Sequence, residues 1–242
     1  MARLLKDQFN SRFFDAIAHR GLHGEGVTEN SLKAFSLAIE NSIPFECDVH
    51  LSKDGKLVVC HDANLKRVCG KDGFIPSLTV EEIKRDYRLL DGQEVPTLEE
   101  VLTLNQERVP HVIELKVDDG NHEALAKRFL EEIKDVKDKS LFTVISFYPQ
   151  ALLDLKKSGF TRGLLVCKEH PFWLRVLPFF DYLDIDIALF EDKRIQKYRS
   201  KGGVVNVWTV EKDEHLTLLS KKVDMITFQH LPIEKVRDAL AK

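Results

Sequence analysis

A chain of 242 residues that is 43% apolar can bury one large core, so a single domain spanning 1–242 is expected. The formal net charge of −3, with acidic and basic residues interleaved, leaves no broad basic surface for a nucleic-acid backbone, and any phosphate must be met locally. Cys47, Cys60, Cys69 and Cys167 show no CxxC pair, which excludes a disulfide framework or a zinc site and points to reduced thiols in the cytoplasm.

The opening MARLLKDQFNSRFFDAIAH carries scattered charges and no apolar run of signal-peptide length, so it reads as mature protein. A first strand, DAIAH (15–19), runs into AHRG. Ser31 then opens a helix with Leu32, Phe35 and Ile39 on one face. FECDV (45–49) is the second strand, and Asp54-Gly55 predicts a tight hairpin to an antiparallel strand KLVVCH (56–61). Residues 62 to 110 break the repeat and are expected to form an excursion with two short helices, Thr79/Glu82 and Thr97/Glu100 having the spacing of capping boxes. Six further strands follow: 111–115, 142–146, 162–166, 182–186, 204–208 and 224–228. Pro149 and Pro232 suit first helical turns and Gly159 a C-terminal cap. The most apolar stretch, PFWLRVLPFFDYLDIDIALF, is broken by Arg175, Pro178 and three aspartates. It reads as a buried helix followed by a buried strand, with no stable membrane insertion expected. Eight βα units in this length predict a (β/α)8 TIM barrel, and the lack of GxGxxG after the first strand argues against a doubly wound dinucleotide fold.

Catalytic groups of such a barrel gather at the C-terminal ends of its strands. His19 and Arg20 end the first strand there. Glu46 and Asp48 share one face of the second, and Glu114 and Lys116 one face of the third, opposite apolar neighbours. A symmetric two-residue turn at Asp54-Gly55 would set His61 across from Asp48, whereas a three-residue loop would turn His61 away. Three inward carboxylates are costly to bury without a cation, and an all-oxygen donor set suits Mg²⁺ or Ca²⁺ better than zinc. Taken singly, an ExD pair occurs by chance, a histidine more often packs than catalyses, and Lys116 could simply neutralise Glu114. Together they are the densest cluster of such groups in the chain.

AHRG, TENSLKAF, FECDVHLSKDGKLVVCHD, VIELK and VNVWTV, in that order from about Ala18 to Pro232, resemble the successive signatures of the glycerophosphodiester phosphodiesterases. The resemblance implies a TIM barrel, one divalent cation, and hydrolysis of glycerophosphodiesters to glycerol 3-phosphate and an alcohol. Position by position, it implies Glu46, Asp48 and Glu114 as metal ligands and His19 and His61 as the acid/base pair. Arg20 and Lys116 are implied around the phosphate, and Trp208 of the VNVWTV run as a further substrate contact. It also suggests attack by the substrate's own 2-hydroxyl to give a cyclic phosphate. The chain departs from the family pattern at Thr28, where proline is usual, at Glu211, where asparagine is usual, and at Thr227-Phe228, where an acidic residue is usual. These bear on the glycerol and leaving-group side of the pocket.

Two rivals stand beside this reading. A lysophospholipase D-like enzyme would use Phe172, Trp173, Leu177, Phe179 and Phe180 as an apolar slot for an acyl chain. A catalytically silent barrel that only binds phosphorylated ligands should show gaps among the histidines and acids, and all are present. The sequence leaves the oligomeric state open.

Overall fold

The computed structural model describes residues 9–168, 179–220 and 222–241. Eight parallel strands close into a barrel: β1 (Ala16–Ala18), β2 (Phe45–Leu51), β4 (His111–Leu115), β5 (Phe142–Ser146), β6 (Thr161–Val166), β7 (Tyr182–Asp186), β8 (Val205–Val210) and β9 (Met225–Phe228). Closure comes from β1, which pairs with β9 on one side and with β2, at Ala18 and Phe45, on the other. Each strand therefore has both faces covered, and the predicted strand positions hold to within two residues at nearly every end. Outward residues such as Ala16, Cys47, Ile113, Val144 and Val207 pack under the helices in one continuous core.

Inward residues form a second cluster at the N-terminal end of the barrel. Phe9 and Phe13 plug it from below, Phe9 meeting Tyr182 edge to face at 5.4 Å. Tyr182 lies across the barrel interior over β6, where a side chain at Gly163 would come within 2.3 Å of its ring. That end is thus sealed by aromatic packing, and polar inward groups are left to the other end.

The helices follow their sequence signals closely. Ser31 caps α1 (Leu32–Glu40) by accepting from the Ala34 N–H. Thr79 and Thr97 head α3 (Val80–Asp86) and α4 (Leu98–Asn105) with complete reciprocal capping boxes. The excursion also contains a helix that the sequence pattern did not suggest, α2 (Lys66–Cys69), one turn long and closed by Gly70 at φ +71°. Val58, Leu65, Ile75, Ile83 and Tyr87 give the excursion its own small core. The remaining helices are α5 (His122–Glu132), α6 (Pro149–Asp154), α7 (Lys193–Arg199), α8 (Asp213–Leu219) and α9 (Ile233–Leu240). Pro149 opens α6 as expected, but Pro232 is the N-cap of α9 rather than part of its first turn. Gly159 has φ +85° but lies beyond Leu155, the C-cap of α6. Of the apolar stretch, residues 171–178 lie outside the described residues. Phe180 is buried, Phe179 is 56% exposed, and the strand half is β7.

The hairpin differs from the symmetric expectation. Val49 pairs with Val59, His50 with Val58 and Leu51 with Leu57 in the short antiparallel strand β3 (Leu57–Val59), so Asp48 faces Cys60 and not His61. The Ser52 N–H donates to the Lys56 carbonyl at 2.9 Å, enclosing a three-residue loop in which Gly55 takes φ +73°. Asp54 instead uses its carboxylate, accepting from Ser52 Oγ at 2.7 Å and from the Val80 N–H at 3.1 Å, which ties the turn to α3.

Candidate active site

At the C-terminal mouth of the barrel, each predicted residue arrives on a different support. Glu46 and Asp48 project inward from β2 and Glu114 from β4, and one oxygen of each lies within 4.8 Å of the others. Register explains the convergence, because Asp48 and Glu114 are direct partners in the β2–β4 ladder. The three acids are buried. Their charges are met unequally. Asp48 Oδ2 accepts from Asn30 Nδ2 at 2.9 Å and sits 3.4 Å from Arg20 Nε. Burial alone would raise the Asp48 pKa, but Lys116 and Arg20 outweigh it and hold the group below the usual carboxylate range. Glu114 pairs with Lys116 Nζ at 2.9 Å, yet burial pushes it up to about 7. Among the described residues Glu46 accepts only from the Arg20 backbone N–H, and burial together with Asp48 and Glu114 pushes it well up. Asp48 Oδ1 is buried and makes no hydrogen bond among the described residues, its cationic neighbour being Lys116 Nζ at 3.5 Å. A buried carboxylate oxygen that makes no hydrogen bond, beside two acids that resist ionising, suits a hard cation, so these residues fit a divalent ion.

Two residues next to the acids adopt a left-handed backbone, Arg20 at φ +55° and Asn30 at φ +53°. Both aim their side chains at Asp48, and this is where strain is tolerated because it places functional groups. Gly21 follows at φ +79°, where a Cβ would come within 2.8 Å of the Ala34 backbone, so the turn after His19 packs directly on α1.

His61 reaches the mouth by a route the strand register did not predict. β3 stops at Val59, the chain bends, and the His61 ring lines the same pocket as His19, Glu46 and Glu114. His50 fixes the bend through Nε2 to the His61 carbonyl at 3.1 Å, and its Nδ1 meets Asp118 at 2.7 Å. His61 Nδ1 lies 2.6 Å from Asp62, which Arg67 holds through Nε at 2.6 Å. Arg67 also grips Glu29, which takes Arg20 at 2.7 Å. This chain of charges links Arg20 to the ring of His61. Burial would raise Glu29, but hydrogen bonds from Arg67 and the charge of Arg20 lower it to about 2. His19, on the other side, has its pKa lowered to about 4 by burial and by Arg20.

The pocket continues toward β5 through β9, with Phe147, Asp184, Trp208, Thr209 and Thr227 on its wall. Trp208 stands edge to face with Phe147 at 5.8 Å, and its indole N–H is buried without a partner among the described residues. Asn206 Nδ2 bridges Asp184 and Thr227 at 2.7 Å each, and burial pushes the Asp184 carboxyl up to about 7. Lys116 lines a neighbouring groove with His50, Asp118 and Tyr148, and His61, Glu114 and Phe147 border both spaces. All eight residues singled out by sequence are therefore at one barrel mouth. Sequence reasoning missed Asn30, Glu29, Asp62, Asp184, Asn206 and Gln229. Asn30 was legible in part, since asparagine tolerates the left-handed region; Asp62 stands next to His61 in sequence, and the rest depend on pairings between distant elements.

The glycerophosphoryl diester phosphodiesterase family profile matches residues 19–166. A glycerophosphodiester phosphodiesterase of Caldanaerobacter subterraneus is 28% identical over 231 residues, covering 85% of this chain and 89% of that one. A lysophospholipase D of Mus musculus is 34% identical over 149 residues, covering 56% of this chain and 45% of that one. Among solved structures, a phosphodiesterase of Oleispira antarctica in complex with the product sn-glycerol-3-phosphate superposes with a TM-score of 0.82 at 26% identity, covering 93% of this chain and 96% of that one. The family profile covers more than half of the chain, including the cluster of acids and both histidines, and the chain belongs to the glycerophosphoryl diester phosphodiesterase family.

Proposed function

We propose that this chain hydrolyses glycerophosphodiesters to glycerol 3-phosphate and an alcohol, using one divalent cation, Mg²⁺ or Ca²⁺, and a pair of histidines. The observation that carries the reading is the buried Glu46, Asp48 and Glu114 cluster, flanked by His19 and His61 across one pocket. A cation held by these acids would supply Lewis-acid polarisation of the phosphoryl oxygens. Arg20 and Lys116 oppose the negative charge that builds on the phosphoryl group in the transition state. The substrate's 2-hydroxyl attacks phosphorus, its proton passing to one histidine, while the bond to the leaving oxygen breaks and the other histidine protonates that oxygen. The tethered hydroxyl has the high effective molarity of an intramolecular nucleophile. Water then opens the cyclic phosphate with the two roles reversed. Trp208 offers its unpaired N–H and ring face to the glycerol side.

Release of glycerol 3-phosphate from glycerophosphocholine tests this, with activity expected to vanish in excess chelator and to return with Mg²⁺ or Ca²⁺. Full activity in chelator removes the cation from the reading. A 2-O-methyl substrate should bind and barely react, and its rapid turnover would show direct attack by water. A second reading, lysophospholipase D-like cleavage of acyl-bearing substrates, draws support from the similarity to the Mus musculus enzyme and from the exposed Phe179 ring. A higher kcat/KM for a lysophospholipid than for glycerophosphocholine would favour it.

A further inference from the structure

Glu211, one of the positions where the chain departs from its family pattern, meets Gln229 in space. Glu211 follows β8 and Gln229 follows β9, and Gln229 Nε2 donates to Glu211 Oε2 at 2.9 Å. The other end of the same amide, Oε1, lies 2.7 Å from His19 Nδ1. A carboxylate accepts only, so Glu211 fixes which way the amide faces: its NH₂ turns to Glu211 and its carbonyl oxygen to His19. That oxygen also only accepts, so His19 Nδ1 must carry the hydrogen. The backbone supports the arrangement, the Gln229 N–H donating to the Val210 carbonyl at 3.1 Å, which clamps the two strand ends together. His23 is the other ring beside this amide.

We propose that Gln229 and Glu211 are positioning residues for His19, locking its neutral ring in the tautomer with hydrogen on Nδ1 and leaving Nε2 bare for proton exchange in the pocket. The proposal rests on the catalytic reading of His19 given above. Its logic is that of any histidine whose outer nitrogen is bonded: the partner selects the tautomer and the ring angle, and the inner nitrogen acquires a fixed role. His61 has a different partner, the Asp62 carboxylate backed by Arg67, so the two rings of the site are oriented by chemically distinct groups, an amide and an acid.

The experiment combines ¹⁵N NMR of the histidine rings with a double-mutant cycle. In the intact protein above pH 6.5, His19 should show a protonated Nδ1 and an unprotonated Nε2, and in Gln229→Leu this preference should be lost. Gln229→Leu should lower kcat on glycerophosphocholine about 10- to 100-fold with KM changed less than about twofold, the usual worth of a group that orients a working histidine. Glu211→Gln should cost less than Gln229→Leu, since it keeps a hydrogen-bond acceptor but no longer fixes the amide's direction. Added to His19→Ala, Gln229→Leu should cost nothing further, because a residue that acts only through His19 has nothing left to position. A hydrogen on Nε2 in the intact protein, or an equal loss from Gln229→Leu in the presence and absence of the His19 ring, would overturn the proposal. The NMR result stands without turnover, so absence of glycerophosphocholine hydrolysis would count against the functional reading alone.

Discussion

Asp48 is the residue on which most of the site's contacts converge, and it shows how one acid of the cluster is kept ionised while its two neighbours are not. Removing Asn30 Nδ2 would leave Asp48 Oδ2 with Arg20 Nε as its nearest partner, 3.4 Å away. Outer contacts of this kind are worth about 10- to 100-fold in metal affinity, so Asn30→Ala should weaken Mg²⁺ or Ca²⁺ binding by that factor in a calorimetric titration. An unchanged affinity would show that Asn30 serves only the fold. The histidines are a separate case, since each stands on the rim of the pocket with its Nδ1 already engaged. His19→Ala and His61→Ala should each lower kcat by about two to four orders of magnitude, with the double variant little worse than either single one. Turnover near that of the unaltered protein in either variant would remove that histidine from the chemistry. At this scale the sequence was informative because the ExD and ExK alternations need only the two-residue period of a strand to be read. Glu29 and Gln229 escaped because their roles arise from pairings across 38 and 210 positions, which no local pattern encodes, and Asp62 because its place beside His61 does not reveal that Arg67 holds it.

Among the elements, the β2–β3 hairpin teaches the most. Asp54-Gly55 signalled the turn correctly, but a one-residue difference in loop length shifts every pair, and only Gly55 adopts the left-handed conformation. His61 nonetheless reaches the pocket, since β3 ends at Val59 and His50 holds the bend beyond it. The site therefore depends on where the strand stops as well as on its register. Capping boxes were fully legible, since they are defined by side chains three residues apart, whereas α2 was invisible because a single turn has no periodicity to detect. The turn after β1 carries the sharpest prediction at this scale. Gly21→Ala forces a Cβ into the backbone of α1 at a positive φ, and it should cost about 1–3 kcal/mol in urea unfolding while displacing Arg20 from Asp48. Unaltered stability together with unaltered activity would contradict the close packing of this turn on the helix.

For the whole barrel, the acids at the mouth and the histidine within its wall respond to different conditions. His111 is fully buried between Phe45 and Phe142, with Nε2 3.1 Å from Cys47 Sγ, and burial lowers its pKa to about 3. The unfolded chain takes up a proton there below about pH 6.5. This contribution is therefore complete above pH 6.5 and is lost by about 1.4 kcal/mol per pH unit on descending toward 3. Urea unfolding at pH 7 and 5.5 should show the loss, and His111→Leu should reduce the slope; an identical slope would place the acid sensitivity elsewhere. The cation acts in the opposite sense. Three acids within 4.8 Å destabilise the barrel mouth when unmet, and an ion that binds only the folded state stabilises it by mass action, by about 2.7 kcal/mol at a hundredfold excess over Kd. For a chain of this size each kcal/mol moves Tm by about 2–4 °C, so saturating Mg²⁺ or Ca²⁺ should raise Tm by about 5–10 °C. Asp48 shares its strand with Glu46 and pairs in register with Glu114, so removing its charge breaks the donor set without unpairing the sheet. Asp48→Asn should abolish the shift while still unfolding in one cooperative step, as expected if the chain is a single domain. A shift that survives Asp48→Asn would locate the stabilising ion outside the Glu46, Asp48 and Glu114 cluster, and with it the chemistry assigned to that end of the barrel.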